Sequence, residues 1–375
     1  MKRIYSFHES SLFSRILKDI KETFEIFGYR YIRLPSFNRN SVRKSFIPVL
    51  NTREGEVIYL RDDFTNQIIK HLDTIGEVDF PLKIYYEGNL FLPDLDEFET
   101  YQVGIELLGS EGYIGDFEII LCIYNVLVKI GFERPKLILG IPAIIDSIVE
   151  KLKVDNKIIE ELIKEKNLSK IRQTFGRNSI VEKIIFLQGK KEILERAVNE
   201  IPFIKDMLYD LDLLTNKLEE LTKIEYIIDF SYVKKLPYYN GITFEFILEN
   251  LGFPVAYGGR YDGIYYKNIP ATGGAIYVDN IVPALKNDIN GGDKYIIHFK
   301  DFSKDLIKLI DLFMNKSLNF SLISNKSIEY LVCYAVRNNF KYIIDFENLK
   351  FYNVKEKKWV KFESFNQLFN FFNVA

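Results

Sequence analysis

Residues 85–109 read YYEGNLFLPDLDEFETYQVGIELLG. Both flanks of this stretch are rich in aromatic and β-branched residues, and its middle, LPDLDE, is acidic and turn-forming. It therefore predicts two neighbouring strands joined by a short connection. In an extended strand, residues two apart face the same way. Gln102, Gly104 and Glu106 then share one face, and Val103, Ile105 and Leu107 the other. A glycine between an amide and a carboxylate leaves room for a small ligand to approach the backbone. The plainer alternative is a solvent-facing strand whose glycine marks a bulge.

The same device recurs downstream. YYNGITFEF, residues 238–246, would place Tyr239, Gly241, Thr243 and Glu245 on one face and Ile242, Phe244 and Phe246 on the other. FPVAYGG, residues 253–259, reads as a further strand, and within AYGGRYDGI (256–264) the segment GGRYDG reads as a glycine-rich turn. Gly258 and Gly259 there either supply unusual backbone angles beside a local Arg260–Asp262 ion pair, or let the backbone close over a ligand beside Tyr257. YLRDDFTNQIIKHL, residues 59–72, sets Asp62, Asp63 and Thr65 at a strand-to-helix junction. Such residues are ordinary helix caps, the reading the segment alone favours; the functional alternative is that Asp63 and Thr65 hold a ligand ammonium through a carboxylate and a hydroxyl.

Outward from these segments, an apolar stripe of Leu12, Phe13, Ile16, Leu17, Ile20, Phe24 and Phe27 predicts a helix over 10–27, ended by Gly28. Further helices are expected at about 64–72 and 116–130. Residues 142–222 change character: rich in Leu, Ile, Lys and Glu, they read as several short helices inserted into a mixed sheet domain. NDINGGDK, residues 287–294, is the best linker candidate. Beyond it, KYIIHF, a helix through Ile310, FSLIS, SIEYLVCYAV and KYIIDF follow a βαβαβ order, predicting a small, mostly parallel α/β domain over 293–375.

Composition narrows the function classes. The 375-residue chain is 47% hydrophobic, ample for a core, and its formal net charge of −2 creates no global field for nucleic acid. Cys122 and Cys333 lie far apart in apolar runs, as buried free thiols do, and imply no disulfide. His8, His71 and His298 lack partners at metal-ligand spacing, so no metal and no cofactor is expected. No apolar run reaches membrane-spanning length and no signal peptide is visible, which predicts a cytoplasmic protein.

In order, GYRYIRLPSFN (28–38), YLRDDFT (59–65), the opening stretch, YYNGITFEF and AYGGRYDGI resemble motifs of histidyl-tRNA synthetase and its paralogs of the class II aminoacyl-tRNA synthetase fold. They are similar, in turn, to the region around motif 1, a Leu-Arg-Pro-Glu-Gly-Thr segment, motif 2 with its following strand, and the two histidine-specific signatures. The resemblance covers residues 1–286, with 142–222 matching the family's insertion. It implies an α+β fold, an antiparallel sheet domain with a helical insertion, followed by the small α/β domain, which is anticodon-binding-like in pattern only. Carried over residue by residue, the implied histidine pocket comprises Asp63, Thr65, Gln102, Glu106, Tyr238, Tyr239, Tyr257 and Gly258.

The activating cations are not carried over. Forming an aminoacyl adenylate builds negative charge around the α-phosphorus and requires cations there. The position of the motif 2 arginine is Leu92, that of the motif 3 arginine is Asn280, and the nearby family glycine is Tyr277. The histidine-specific arginine is Lys234, and a neighbouring aspartate is Pro237. Lysine keeps the charge but lacks the planar fork. A histidine pocket without ATP machinery resembles the regulatory subunit of ATP phosphoribosyltransferase. That resemblance implies a non-catalytic subunit that activates a short catalytic subunit in the first step of histidine biosynthesis and takes part in feedback inhibition by histidine. It also implies a homodimer core within a hetero-oligomer, with no catalytic residues of its own. The alternatives are a divergent histidyl-tRNA synthetase, or a binding module that uses the fold for another partner. The tail carries 13 Lys or Arg against 10 Asp or Glu over residues 287–375, an excess too small to indicate tRNA.

Overall fold

The computed structural model describes residues 4–38, 47–51, 53, 55–72, 74, 77–92, 98–233, 236–249, 251–264, 268–285 and 294–374. Most of the predicted linker, all of LPDLDE beyond Leu92, and Lys234 therefore lie outside the described residues. The chain divides into two units, Met1–Lys286 and Asn287–Ala375.

In the first unit, α1 (Phe7–Ile26) buries Leu12, Ile16, Ile20 and Phe24 along one stripe. It begins three residues before the predicted start because Ser6 and Glu9 form a reciprocal capping box that satisfies the first backbone donors. β1 (Arg30–Tyr31), β2 (Phe37–Asn38), β3 (Pro48–Asn51) and β4 (Val57–Leu60) lead into α2 (Phe64–Leu72). β5 (Leu82–Phe91) and β6 (Glu99–Leu108) pair antiparallel along their whole length, as the opening stretch predicts. α3 (Gly112–Ile130) follows, ended by Gly131, and then β7 (Lys136–Gly140).

Between Ala143 and Leu221 the chain is mainly helical: α4 (Ala143–Leu152), α5 (Asn156–Glu165), α6 (Leu168–Phe175), α7 (Ile180–Phe186), α8 (Ile193–Glu200) and α9 (Tyr209–Leu221), with a two-residue β8 (Gln188–Gly189) between α7 and α8. β9 (Glu225–Asp229), β10 (Thr243–Ile247), β11 (Ala256–Arg260), β12 (Ala271–Tyr277) and the short α10 (Val278–Ile281) complete the unit. β7 and β9 run parallel side by side, so the helical stretch is a crossover that leaves and rejoins the sheet at adjacent strands. The nine strands lie in the order β1-β5-β6-β12-β11-β10-β7-β9-β8, and the run from β5 through β7 is antiparallel throughout.

Two local readings are corrected. Residues 238–242 are not strand: the Asn240 side chain bridges both backbone groups of Asp262, and the Asn240 amide bonds Arg260 O, which holds them in a loop before β10. Tyr239 and Gly241 therefore do not share a strand face with Thr243. The strand expected at FPVAYGG is present as β11 but continues through Arg260, so GGR is strand rather than turn, and neither Gly258 nor Gly259 has a positive φ. Both are required by close approach: a Cβ on Gly258 would lie 2.2 Å from Gly273 O, and one on Gly259 would lie 2.7 Å from Thr243 Cγ2.

The second unit contains β13 (Lys294–Phe299), α11 (Lys304–Asn315), β14 (Asn319–Ser324), α12 (Ile328–Arg337), β15 (Tyr342–Asp345), β16 (Lys350–Asn353), β17 (Lys358–Lys361) and α13 (Phe365–Val374). Its sheet has the order β14-β13-β15-β16-β17. β13 pairs parallel with β14 and β15, while the two pairings through β16 are antiparallel, so the sheet is mixed rather than mostly parallel. Separate cores lie on its two faces, one around Phe313, Leu309 and Phe372, the other around Leu331 and Ile343. Cys122 is buried, but Cys333 on α12 is exposed, against the expectation of two buried thiols.

Candidate functional site

Register aligns the pocket face of the first unit's sheet. In one row across the sheet, Ile84, Glu106, Gly273, Gly259 and Thr243 stand opposite one another, and in the next Tyr86, Gly104, Ala275, Tyr257 and Glu245. Gly88, Gln102 and Tyr277 form a third. β12 contributes only Gly273 and Ala275 beneath the centre, so the floor is nearly bare there.

Glu106 is the deepest polar group. It is 2% exposed and lies directly over Gly273, where a Cβ would fall 1.8 Å from its Oε2. Thr65 Oγ1 donates to Glu106 Oε1 at 2.6 Å, and the Tyr261 hydroxyl donates to Oε2 at 2.7 Å. Burial pushes the carboxyl up to about 8, against the pull of hydrogen bonds from Thr65, Tyr261 and Tyr86. Asp63, at the N-terminus of α2, does two things at once. One oxygen accepts from Asn66 N at 2.7 Å, capping the helix, and the other accepts from the Tyr238 hydroxyl at 2.9 Å.

Aromatic rings wall the cavity. Tyr238 meets Tyr239 and Tyr261 edge-on, with centroids 5.1 and 5.7 Å away. Tyr257 stacks on Tyr277 at 4.7 Å. Phe64 stacks on Tyr86 at 4.3 Å, and the Tyr86 ring fills the space above Gly104 that the sequence left open for a ligand. Burial raises Tyr86, Tyr238, Tyr239 and Tyr261 well above the ordinary phenol range, so all four remain hydroxyl donors at neutral pH.

Seven of the eight sequence-predicted residues line one cavity: Asp63, Thr65, Gln102, Glu106, Tyr238, Tyr239 and Tyr257. Gly258 does not. It faces the opposite side of the sheet, where a Cβ would meet the Phe244 ring at 2.6 Å. The cavity encloses about 370 Å³ of empty space, the open mouth included. Its lining includes two carboxylates and six tyrosines, and among the described residues no lysine, arginine or histidine.

Such a site suits a small cationic ligand. Asp63 matches an ammonium, and Glu106 with Tyr261 matches an imidazole N–H. Among its described lining residues there is no cation to stabilise phosphate charge. Leu92 belongs to the apolar core beside the pocket, and Asn280 spends its amide on Pro254 O at 2.9 Å. Tyr86 and Tyr261 were missed as pocket residues. The same two-residue spacing that grouped Gln102 with Glu106 relates Tyr86 to Gly88 and Tyr261 to Gly259, but only register shows which face meets the ligand.

Arg260 supports the site from outside the cavity. Its Nε lies 3.0–3.1 Å from both oxygens of Asp116, and Nη1 bonds Asp262 at 2.9 Å and Ser110 O at 3.0 Å. The predicted local ion pair is thus one arm of a buried clamp between β11 and the start of α3.

The sheet, the crossover helices and the tyrosine–carboxylate pocket define a histidyl-tRNA synthetase-like protein of the class II fold. A sequence profile described as histidyl-tRNA synthetase matches residues 6–281. The structure is similar to a histidyl-tRNA synthetase from Nostoc sp. PCC 7120, with TM-score 0.76 and 14% identity over 98% of this chain and 96% of that one. It is also similar to an ATP phosphoribosyltransferase regulatory subunit/histidyl-tRNA synthetase from Bacillus halodurans, with TM-score 0.74 and 21% identity over 91% and 96% of the two chains. In sequence, the ATP phosphoribosyltransferase regulatory subunit of Aquifex aeolicus is 30% identical across 92% of this chain and 90% of its own length. That of Clostridium botulinum strain 657 is 27% identical across 96% and 89%. The chain belongs to the family of ATP phosphoribosyltransferase regulatory subunits.

Proposed function

We propose that this protein binds histidine in the tyrosine-lined pocket and passes its presence to a separate, short-form ATP phosphoribosyltransferase catalytic subunit. As a family member it is a non-catalytic subunit of histidine biosynthesis that works with a catalytic partner. The observation that carries the ligand is the pairing of Asp63 and Glu106 in a cavity whose described lining holds no cation. Asp63 accepts an ammonium, Glu106 hydrogen-bonds an imidazole, and no described lining residue supplies a counter-charge for a triphosphate. Histidine would act by binding two assembly states with different affinity, which is the thermodynamic requirement for feedback inhibition. The assembly we propose has a homodimer of this chain at its centre and is cytoplasmic. Among the described residues no helix is long and apolar enough to cross a membrane.

Calorimetry with L-histidine on wild type and Glu106→Ala tests the pocket. Removing Glu106 leaves a buried imidazole group without its hydrogen-bond partner, at about 1–3 kcal/mol, and weakens binding roughly 5- to 160-fold. Equal affinity for the two proteins would remove Glu106 from the site. Mixing the wild type with a short catalytic subunit should stimulate phosphoribosyl-ATP formation, and histidine should suppress it. Aminoacylation of tRNA by this chain alone would instead identify a divergent synthetase.

A further inference from the structure

A histidine held at its ammonium by Asp63 and at its imidazole by Glu106 still has a carboxylate to place. Beyond Asp63, Glu106 and their partners Thr65, Tyr238 and Tyr261, the polar side chains lining the cavity are Gln102, Tyr86, Tyr239, Tyr257 and Tyr277. Gln102 and Tyr277 are direct cross-strand neighbours, so the carboxylate end of the cavity is the end walled by Tyr277. We propose that Tyr277, stacked on Tyr257, is a specificity-determining residue. It closes the pocket behind the carboxylate, so that the site takes a free α-amino acid and excludes one whose carboxylate carries a further group, an acyl phosphate or acyl adenylate above all. This proposal rests on the histidine reading of the same pocket.

Three observations support it. The first is space. The Tyr257 and Tyr277 rings lie 4.7 Å apart at 24°, with their phenolic oxygens in contact, and form a continuous aromatic wall. Ala275, opposite Tyr257, is small enough to let the two rings meet over it. The second is charge. An added phosphate would enter a buried site beside the Asp63 carboxylate and a protonated Glu106, with no described cation lining it, and would lose its hydration.

The third is fixation. Tyr277 N bonds Val255 O at 2.8 Å, and two residues on, Asp279 accepts from Tyr101 N at 2.6 Å and from the Tyr5 hydroxyl. The strand end that carries the ring is therefore anchored to β6 and to the segment before α1. The Cα that carries the ring is thus held in place, and the ring itself packs against Tyr257.

Binding of L-histidine and of histidyl-sulfamoyl-adenosine, a non-hydrolysable adenylate mimic, decides the matter when both are measured on the full chain. The wild type should prefer free histidine by at least about 100-fold, and Tyr277→Gly should shrink that ratio by about tenfold or more as the wall opens. Tyr257→Ala removes the other ring of the stack and should act in the same direction, which covers a failure of the first variant to fold. If the wild type binds the mimic as tightly as histidine, or if neither variant narrows the ratio, the role given to Tyr277 is wrong. If the wild type binds neither compound, the histidine reading itself fails, a result distinct from loss of selectivity alone.

Discussion

Burial holds a proton on Glu106 through a pH range in which an exposed glutamate is ionised. Its carboxyl titrates near 8 in the folded protein, against an ordinary value of 4.5. Between those values the folded state keeps a proton that the unfolded chain has released. Stability contributed by this group is therefore greatest below about 4.5 and falls as pH rises towards 8, by at most about 1.4 kcal/mol per pH unit. Urea unfolding at pH 5 to 8 should show that decline in the wild type and a smaller one in Glu106→Gln, which has nothing to ionise. Parallel slopes would mean that Glu106 is ionised throughout. At this scale the alternation of YQVGIELLG already joined Gln102 to Glu106. It could not foresee that Tyr86 would cover Gly104, because that ring arrives from the neighbouring strand.

Elements hold these residues in place through a few buried junctions. Arg260, 4% exposed at the end of β11, neutralises Asp116, 1% exposed near the start of α3. Asp116 is raised to about 6 by burial and would rise further without the guanidinium. Arg260→Ala leaves a buried carboxylate without its counter-charge, a change that costs about 3–5 kcal/mol. The expected outcome is a lower chemical-denaturation midpoint, with part of the loss recovered by adding Asp116→Asn; an unchanged midpoint would show that the clamp is dispensable. The boundaries of α2 were legible as Phe64–Leu72 because its cap and apolar periodicity are local. The start of β10 was not, because the Asn240 side chain bonds Asp262, 22 residues away, and stops the strand from extending back to Tyr238.

At the scale of the whole molecule, the two units keep separate cores. Phe313 is fully buried in the second, with rings of Tyr295, Phe320 and Phe372 around it at 5.0–5.7 Å. Phe313→Ala should cost that unit about 3–5 kcal/mol while leaving histidine affinity of the first unit unchanged. Far-UV unfolding and calorimetry on the same variant check both halves, and a matching loss of affinity would couple the tail to the pocket. The sequence by itself determined most of the elements, the shared face of Gln102 and Glu106, the family, and the absence of arginine at positions 92 and 280. These follow from residue type and local periodicity, which act over a few positions. Tertiary structure alone decided which faces meet: Gly258 turns away from the pocket, Tyr86 and Tyr261 enter it, and Tyr257 and Tyr277 close one end. Strand register and close backbone approach set those outcomes, and both depend on residues far apart in the chain.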